Sequence, residues 1–296
     1  FLHRNGAPRS ESFFHSGAVS LQGKANPPAR GLAVDIRTPQ IDIDAWRDAA
    51  GLLEDKQQGK SVGRVIFPPL RDLRVQADKA SVLGAGLDHL TFTARRPDAG
   101  RWRVDVSSTQ TAGTLFWREQ RGRIEGEVEA HFERLALGAG PGEQTEQQAK
   151  ADPAKEDDQA FSLNDDIDFP AIRLKVDRLR VYGRDLGALS LVGLNEKRGR
   201  IWKLEQLAVS SPHASFTGSG LWRLAGPQRG LRLEVQALFD NLGAYLNQAG
   251  FKDLIEGGQG QVEGTVEWRD LPWKLATSGL QGDLSVDLVK GRFSSV

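Results

Sequence analysis

Ile124-Glu-Gly-Glu-Val-Glu-Ala-His-Phe132 alternates without interruption. Ile124, Gly126, Val128, Ala130 and Phe132 fall on one side of an extended chain, and Glu125, Glu127, Glu129, His131 and Glu133 on the other. Successive side chains of a strand point to opposite faces, so one apolar and one charged face mean a half-buried antiparallel strand. The signature returns at Val262-Glu-Gly-Thr-Val-Glu-Trp268. Working outward from these two stretches, the same alternation predicts strands near 16–23, 31–38, 70–77, 85–94, 101–107, 112–118, 123–136, 171–182, 186–194, 199–209, 214–223, 230–238, 260–268 and 279–289.

The chain also repeats itself. Residues 31–52, GLAVDIRTPQIDIDAWRDAAGL, align without a gap onto residues 230–251, GLRLEVQALFDNLGAYLNQAGF. The repeat predicts two short helices, at 43–50 and 242–249, with Asp42 and Asn241 as N-caps and Gly51 and Gly250 as C-terminal stops. A second repeat pairs 70–92 with 169–191, so that Leu73, Val75, Leu87 and Leu90 correspond to Ile172, Leu174, Leu186 and Leu189. Trp102, Ser107-Ser108 and Trp117 recur as Trp202, Ser210-Ser211 and Trp222. What repeats is packing and capping, the mark of a scaffold built up from similar units.

Composition fits this reading. There are 296 residues with 33 glycines, which favours many short strands and turns. Formal net charge is zero, which gives no whole-chain case for a nucleic-acid partner. The charge is uneven, however: residues 138–168 hold nine acids and two lysines, leaving a small positive excess elsewhere. This stretch is polar and short of core residues, and reads as a disordered acidic insertion. The expected organisation is thus a β section over 1–137, the insertion over 138–168, and a second β section over 169–296 continuous with the first. No cysteine is present, which excludes disulfides and thiolate chemistry. The absence of methionine leads to the expectation that this is a piece of a longer protein. No run of 18 apolar residues appears, so no membrane-spanning helix is expected in it.

Motifs for chemistry fail one by one. Gly59-Lys60-Ser61 would end a phosphate-binding loop, but the required earlier glycine is Glu54. Gly138, Gly140 and Gly142 lead into an acidic stretch rather than a helix. His3, His15, His89, His131 and His213 are isolated, so no metal site is expected from them. Asp165, Asp166 and Asp168 lack the spacing of a calcium loop. The repeated Ser-Ser pairs share no histidine and read as turn serines. Glu125, Glu127 and Glu129 share a face, as a solvated strand does. A carbohydrate-active enzyme would need distant carboxylates to converge.

A layer of strands with one apolar face must cover that face. Two short helices are too few for fourteen strands. Either the sheet folds over itself or part of the face stays open as an apolar groove; Trp102, Trp117, Trp202 and Trp222 read as core or rim packing in the first case and as groove lining in the second.

The order and spacing of these packing residues resemble the YhdP family of AsmA-like proteins of Gram-negative envelopes. The carriers are Phe169-Pro-Ala-Ile-Arg-Leu-Lys-Val-Asp-Arg-Leu-Arg-Val-Tyr-Gly-Arg-Asp-Leu-Gly187, Leu204-Glu-Gln-Leu-Ala-Val-Ser-Ser-Pro212, Gly220-Leu-Trp-Arg223 and Leu280-Gln-Gly-Asp-Leu-Ser-Val-Asp-Leu-Val-Lys-Gly-Arg-Phe293. Leu32–Trp46 is similar to the family's strand-then-helix unit. The resemblance implies an internal-to-C-terminal section of an elongated, curved antiparallel sheet, taco-like in section with an apolar interior. The parent protein would be anchored in the inner membrane, reach across the periplasm and move phospholipid towards the outer membrane. It implies no catalytic residue, cofactor or metal. The implied partners are phospholipid acyl chains, with envelope proteins at either end of the parent. On this reading the candidate lipid-binding residues are Leu32, Val34, Ile36, Leu174, Val176, Leu189, Leu191, Leu231, Leu233 and Val235. The rival expectation is a structural, protein-binding β scaffold with a sealed core.

Overall fold

The computed structural model describes residues 2–4, 14–43, 69–82, 85–98, 100–120, 123–138, 170–196, 201–224, 230–251, 254–268 and 280–293. The strands are β1 (Leu2–Arg4), β2 (Phe14–Leu21), β3 (Gly31–Asp42), β4 (Leu70–Val82), β5 (Ala85–Asp98), β6 (Arg101–Ser107), β7 (Ala112–Gln120) and β8 (Arg123–Leu137). They continue as β9 (Ala171–Val181), β10 (Arg184–Glu196), β11 (Ile201–Ser210), β12 (Ala214–Arg223) and β13 (Gly230–Phe239), then β14 (Ile255–Trp268) and β15 (Leu280–Phe293). One helix, α1 (Leu242–Gln248), lies between β13 and β14. All fourteen expected strands are found, and β1 is the addition. The helix expected at 43–50 falls, after Ile43, outside the described residues, as do Gly51, the Gly59-Lys60-Ser61 stretch and 139–168 of the acidic insertion with its three aspartates.

The strands form one open mixed sheet in which each is hydrogen-bonded to its neighbour in sequence. The fold is mainly β, as expected, but not purely antiparallel: β2–β3, β3–β4 and β8–β9 pair in parallel. A parallel joint needs a connection that carries the chain back along the strand, and 22–30, 43–69 and 138–170 have that length. The first of these passes over the polar side of β3. A Cβ on Gly23 would stand 2.8 Å from the Asp35 carboxylate, and Asp35 is buried. A tight hairpin does the opposite. Tyr182-Gly183 joins β9 to β10 with both residues at positive φ, +49° and +74°, the two-residue turn whose twist suits an antiparallel pair. The repeat of 31–52 in 230–251 therefore stops at topology: β3 pairs in parallel with β4, whereas β13 pairs antiparallel with β14.

Two compact units are distinguishable, residues 1–116 and 117–296. In the first, Val75, Ala77, Leu87 and Leu90 of the β4–β5 hairpin form a core with Ala80 and with Ile41 from the end of β3. In the second, Trp202, Leu204, Trp222, Leu224 and Leu231 form another, with the two indoles edge to face at 6.3 Å. Trp202 lies flat against Gly193 on the neighbouring strand. Any side chain at Gly193 would overlap the Trp202 ring, and Trp202 Nε1 donates to the Pro170 carbonyl at 3.0 Å.

The repeated serines behave alike. Ser108 and Ser211 each close a strand-to-strand turn: the hydroxyl oxygen accepts from the backbone N–H of Thr111 (2.8 Å) and of Ala214 (3.1 Å) respectively. Helix α1 starts where the repeat places it. Asn241 is extended, and its side-chain oxygen accepts from Ala244 N–H at 2.9 Å. Its end is a Schellman motif: Gly250 at φ +84° donates to Asn247, and Phe251 donates to Leu246.

Two substitutions test this account. Gly193→Ala forces the Trp202 indole off its seat; urea unfolding should read a loss of about 1–3 kcal/mol, with altered tryptophan emission. Asn241→Ala removes the cap and should cost about 1 kcal/mol in the same experiment.

Candidate functional site

Directly opposed residues of paired strands lie on the same face of a sheet, so register locates each candidate residue. Leu174 faces Leu191, which faces Leu207, then Gly218, Val235, Gly264 and Leu284. One step along, Val176 faces Leu189, then Val209, Phe216, Ala237, Val262 and Val286. These two rows cross β9 to β15 without a single polar side-chain atom. Leu233 lies in the next row beside Val235, between Gly220 and Val266, and Leu231 in the row after, between Trp222 and Trp268. All seven candidates in residues 117–296 thus share one face.

The three candidates in residues 1–116 also share a face. Val34 sits between Val19 and Leu73, Ile36 between Leu21 and Val75, and Leu32 between Gly17 and Leu70. Ile36 packs on the Val75–Leu90 core.

Among the described residues the second unit's apolar face is covered only in part: Val176, at 2% exposure, Leu231 and Ala237 are buried. Leu174, Leu189, Leu191, Leu207, Val209 and Val235 are all only half-buried. On β15 the face opens to solvent, with Leu284 at 53% and Val286 at 57% of full exposure. Aromatic groups stand on either side of the floor at β12 and β13. On one side are Trp222, Trp202 and Trp268. On the other are Phe216, Phe239 and Tyr245 of α1, with ring centroids 5.2–5.9 Å apart. Trp222 and Phe216 are six residues apart on β12, which puts their Cα atoms about 20 Å from each other. The floor between them is Gly218 and Gly220. The result is a shallow lane crossing the strands, with a hydrocarbon floor and aromatic sides.

Helix α1 is held against the sheet by Arg184, which donates to the Ala249 carbonyl at 2.9 Å and stacks 3.7 Å above the Phe251 ring. Burial against the lane's side pushes the Tyr245 phenol above its usual value. Trp268 Nε1 on the opposite side is buried with no hydrogen-bond partner.

The reverse face is polar. Glu127 lies between Arg118 (3.3 Å) and Arg173 (3.6 Å), His131 meets Asp177 at 3.0 Å, and Arg232 meets Glu267 at 3.4 Å. Such exposed pairs hold the outer surface in water and add little stability. In the first unit, bidentate hydrogen bonds from Arg103 hold the Asp105 carboxyl below the ordinary range. Among the described residues no three histidines or carboxylates come together as a metal site, and no helix is long and apolar enough to cross a membrane.

Sequence reasoning missed Leu207, Val209, Gly218 and the Phe216–Phe239–Tyr245 group. The signal for the first two was present: in Leu204-Glu205-Gln206-Leu207 the alternation slips by one residue, and the structure has a bulge there.

These features define a mainly β protein whose open sheet presents, over the described part of residues 117–296, a partly open, hydrocarbon-floored face. The family described as YhdP protein matches residues 5–296, and the chain belongs to that family. No curated protein and no solved structure gives a significant match.

The absence of cysteine allows a direct test of the two faces. An environment-sensitive dye on Val235→Cys should emit further to the blue than the same dye on Glu234→Cys, and only the former should respond to added phospholipid. For Tyr245, a phenol raised on folding contributes stability that is complete below the unfolded pKa of about 10 and is lost as pH rises through the folded value. Tyr245→Phe should therefore flatten the alkaline fall in melting temperature.

Proposed function

We propose that this chain is a non-enzymatic, lipid-binding section of an AsmA-like envelope protein that moves phospholipid between the inner and outer membranes along an apolar groove in the periplasm. The observation that carries this reading is the pair of rows from β9 to β15, fourteen residues without a polar side-chain atom, of which all but Val176 and Ala237 keep part of their surface exposed among the described residues. Membership of the YhdP family supports it.

The physics suits a hydrocarbon occupant. Each buried methylene contributes about 0.8 kcal/mol, so an acyl chain lying across several strands is held without any polar contact. A peptide strand laid on the same floor would bring amide groups that need partners, and the floor offers none. Neighbouring strands present similar side chains, so binding energy changes little with position and a chain can slide.

Native mass spectrometry with solvent extraction of the purified chain tests the proposal. Phospholipid should co-purify at near-stoichiometric levels. It should be lost in Val235→Asp at an unchanged melting temperature and kept in Glu234→Ala on the reverse face. A stable chain free of lipid would instead favour the sealed scaffold.

A further inference from the structure

Glycines on the floor of the lane are of two kinds. Gly264 has φ +155°, and a Cβ there would overlap the Asp283 carbonyl; a Cβ on Gly220 would overlap the Arg232 carbonyl. Both are required by the backbone. Gly218 is not. Its φ lies outside the left-handed region, and a Cβ would stand 3.2 Å from the Glu234 carbonyl oxygen, 3.7 Å from Val235 Cγ1 and 3.8 Å from Leu207 Cβ. Two of these are ordinary contacts, and the third needs a shift of a few tenths of an ångström. A glycine in a strand interior is entropically costly and packs nothing, so an alanine, valine or leucine would be the expected occupant of this position.

We infer that Gly218 is a specificity-determining residue of the lane: its missing side chain keeps open the seat in which one hydrocarbon chain crosses β12. The inference rests on the lipid-binding reading above and adds where the chain passes. The contacts a Cβ would make at Gly218 are to Leu207 and Val235, the floor residues on either side, so the vacant space lies on the apolar face between them. Along β12 the seat is bounded by Phe216 and Trp222, and its base is backbone already paired to β11 and β13. A hydrocarbon chain fits such a space because every group lining it is hydrocarbon, aromatic or satisfied backbone. A polar occupant would lose its hydration for nothing in return.

The test is a volume series, Gly218→Ala and Gly218→Val, with Ser219→Val as a control that places a valine on the exposed reverse face. Each purified chain is incubated with phosphatidylglycerol vesicles, re-isolated, and its retained lipid counted by native mass spectrometry, with melting temperature read in parallel. Displacing one methylene from the seat should lower retention about fourfold in Gly218→Ala, and displacing two or more about tenfold or beyond in Gly218→Val. Melting temperatures should be unchanged or raised in Gly218→Ala, and Ser219→Val should retain lipid as the parent does. Should Gly218→Val not fold, Gly218→Ala decides alone. Equal retention in the parent and the folded Gly218 variants would overturn the seat and leave the lipid-binding reading standing. A parent chain that retains no lipid would overturn both.

Discussion

Cross-strand register is the constraint on which everything else in this molecule depends. Side chains alternate with period two, so a slip of one residue between neighbouring strands would turn an apolar row to solvent and a charged row inward. Seven consecutive strands, β9 to β15, keep Leu174 and Val176 in line with Leu284 and Val286. The one slip that the β11 sequence contains is absorbed locally. Glu205 and Gln206 both stay exposed in a bulge, so Trp202 and Leu204 remain on the same face as Leu207 and Val209. Without that bulge the tryptophan core and the half-exposed floor would lie on opposite sides of the sheet.

Among the described residues, side chains folding onto their own sheet supply part of the cover that a second layer usually gives. Trp202 occupies the space that Gly193 vacates; at Gly126 a side chain would instead overlap the Arg118 carbonyl first, with the Trp117 indole nitrogen next. Large indoles laid over glycines bury area without a covering element, and they concentrate burial at one margin of the face. At the other margin α1 supplies Tyr245 to Phe216 and Phe239. Burial at the margins secures the strands. Between the margins Leu207, Gly218 and Val235 remain half-exposed, whereas Val176 and Ala237, in the row of Phe216, are buried.

Much of this was legible from local sequence because the signals involved are local. Alternation marked all fourteen expected strands, Asn241 and Gly250 marked both ends of α1, and the paired serines marked equivalent turns. Seven of the ten candidate residues fall on a single face because period two fixes relative facing within each strand, and the apolar side of every strand has to go the same way. What was not legible depends on connections between distant residues. Alternation says nothing about strand direction, so the parallel joints at β2–β3, β3–β4 and β8–β9 could not be read from it. The rows themselves were also hidden: that Leu207 lies between Leu191 and Gly218 follows from pairing registers, not from any motif. Gly218 looked like any other strand glycine until its neighbours showed that nothing in the fold requires it.

A floor made only of hydrocarbon has a consequence for how the face can discriminate. Affinity there grows with the length of apolar surface covered and is nearly the same from one strand to the next, because Leu, Val and Ala differ by a few methylenes and none makes a directional contact. A hydroxyl or amide anywhere on the floor would act as a local trap or a local barrier, since its hydrogen bond would have to be made or broken at one position. Selectivity on such a surface must therefore come from shape on the floor and from polar groups at its margins. Shape is set where side chains are missing, at Gly218 between Leu207 and Val235. The margins carry the packed Trp268 indole on one side and, on the other, Arg184, whose guanidinium is already engaged by Ala249 and Phe251. The two margins thus differ in chemistry, one walled by packed indoles and one carrying a cation held at the helix end, so a ligand with a polar end meets an asymmetric lane, although its hydrocarbon meets a uniform one.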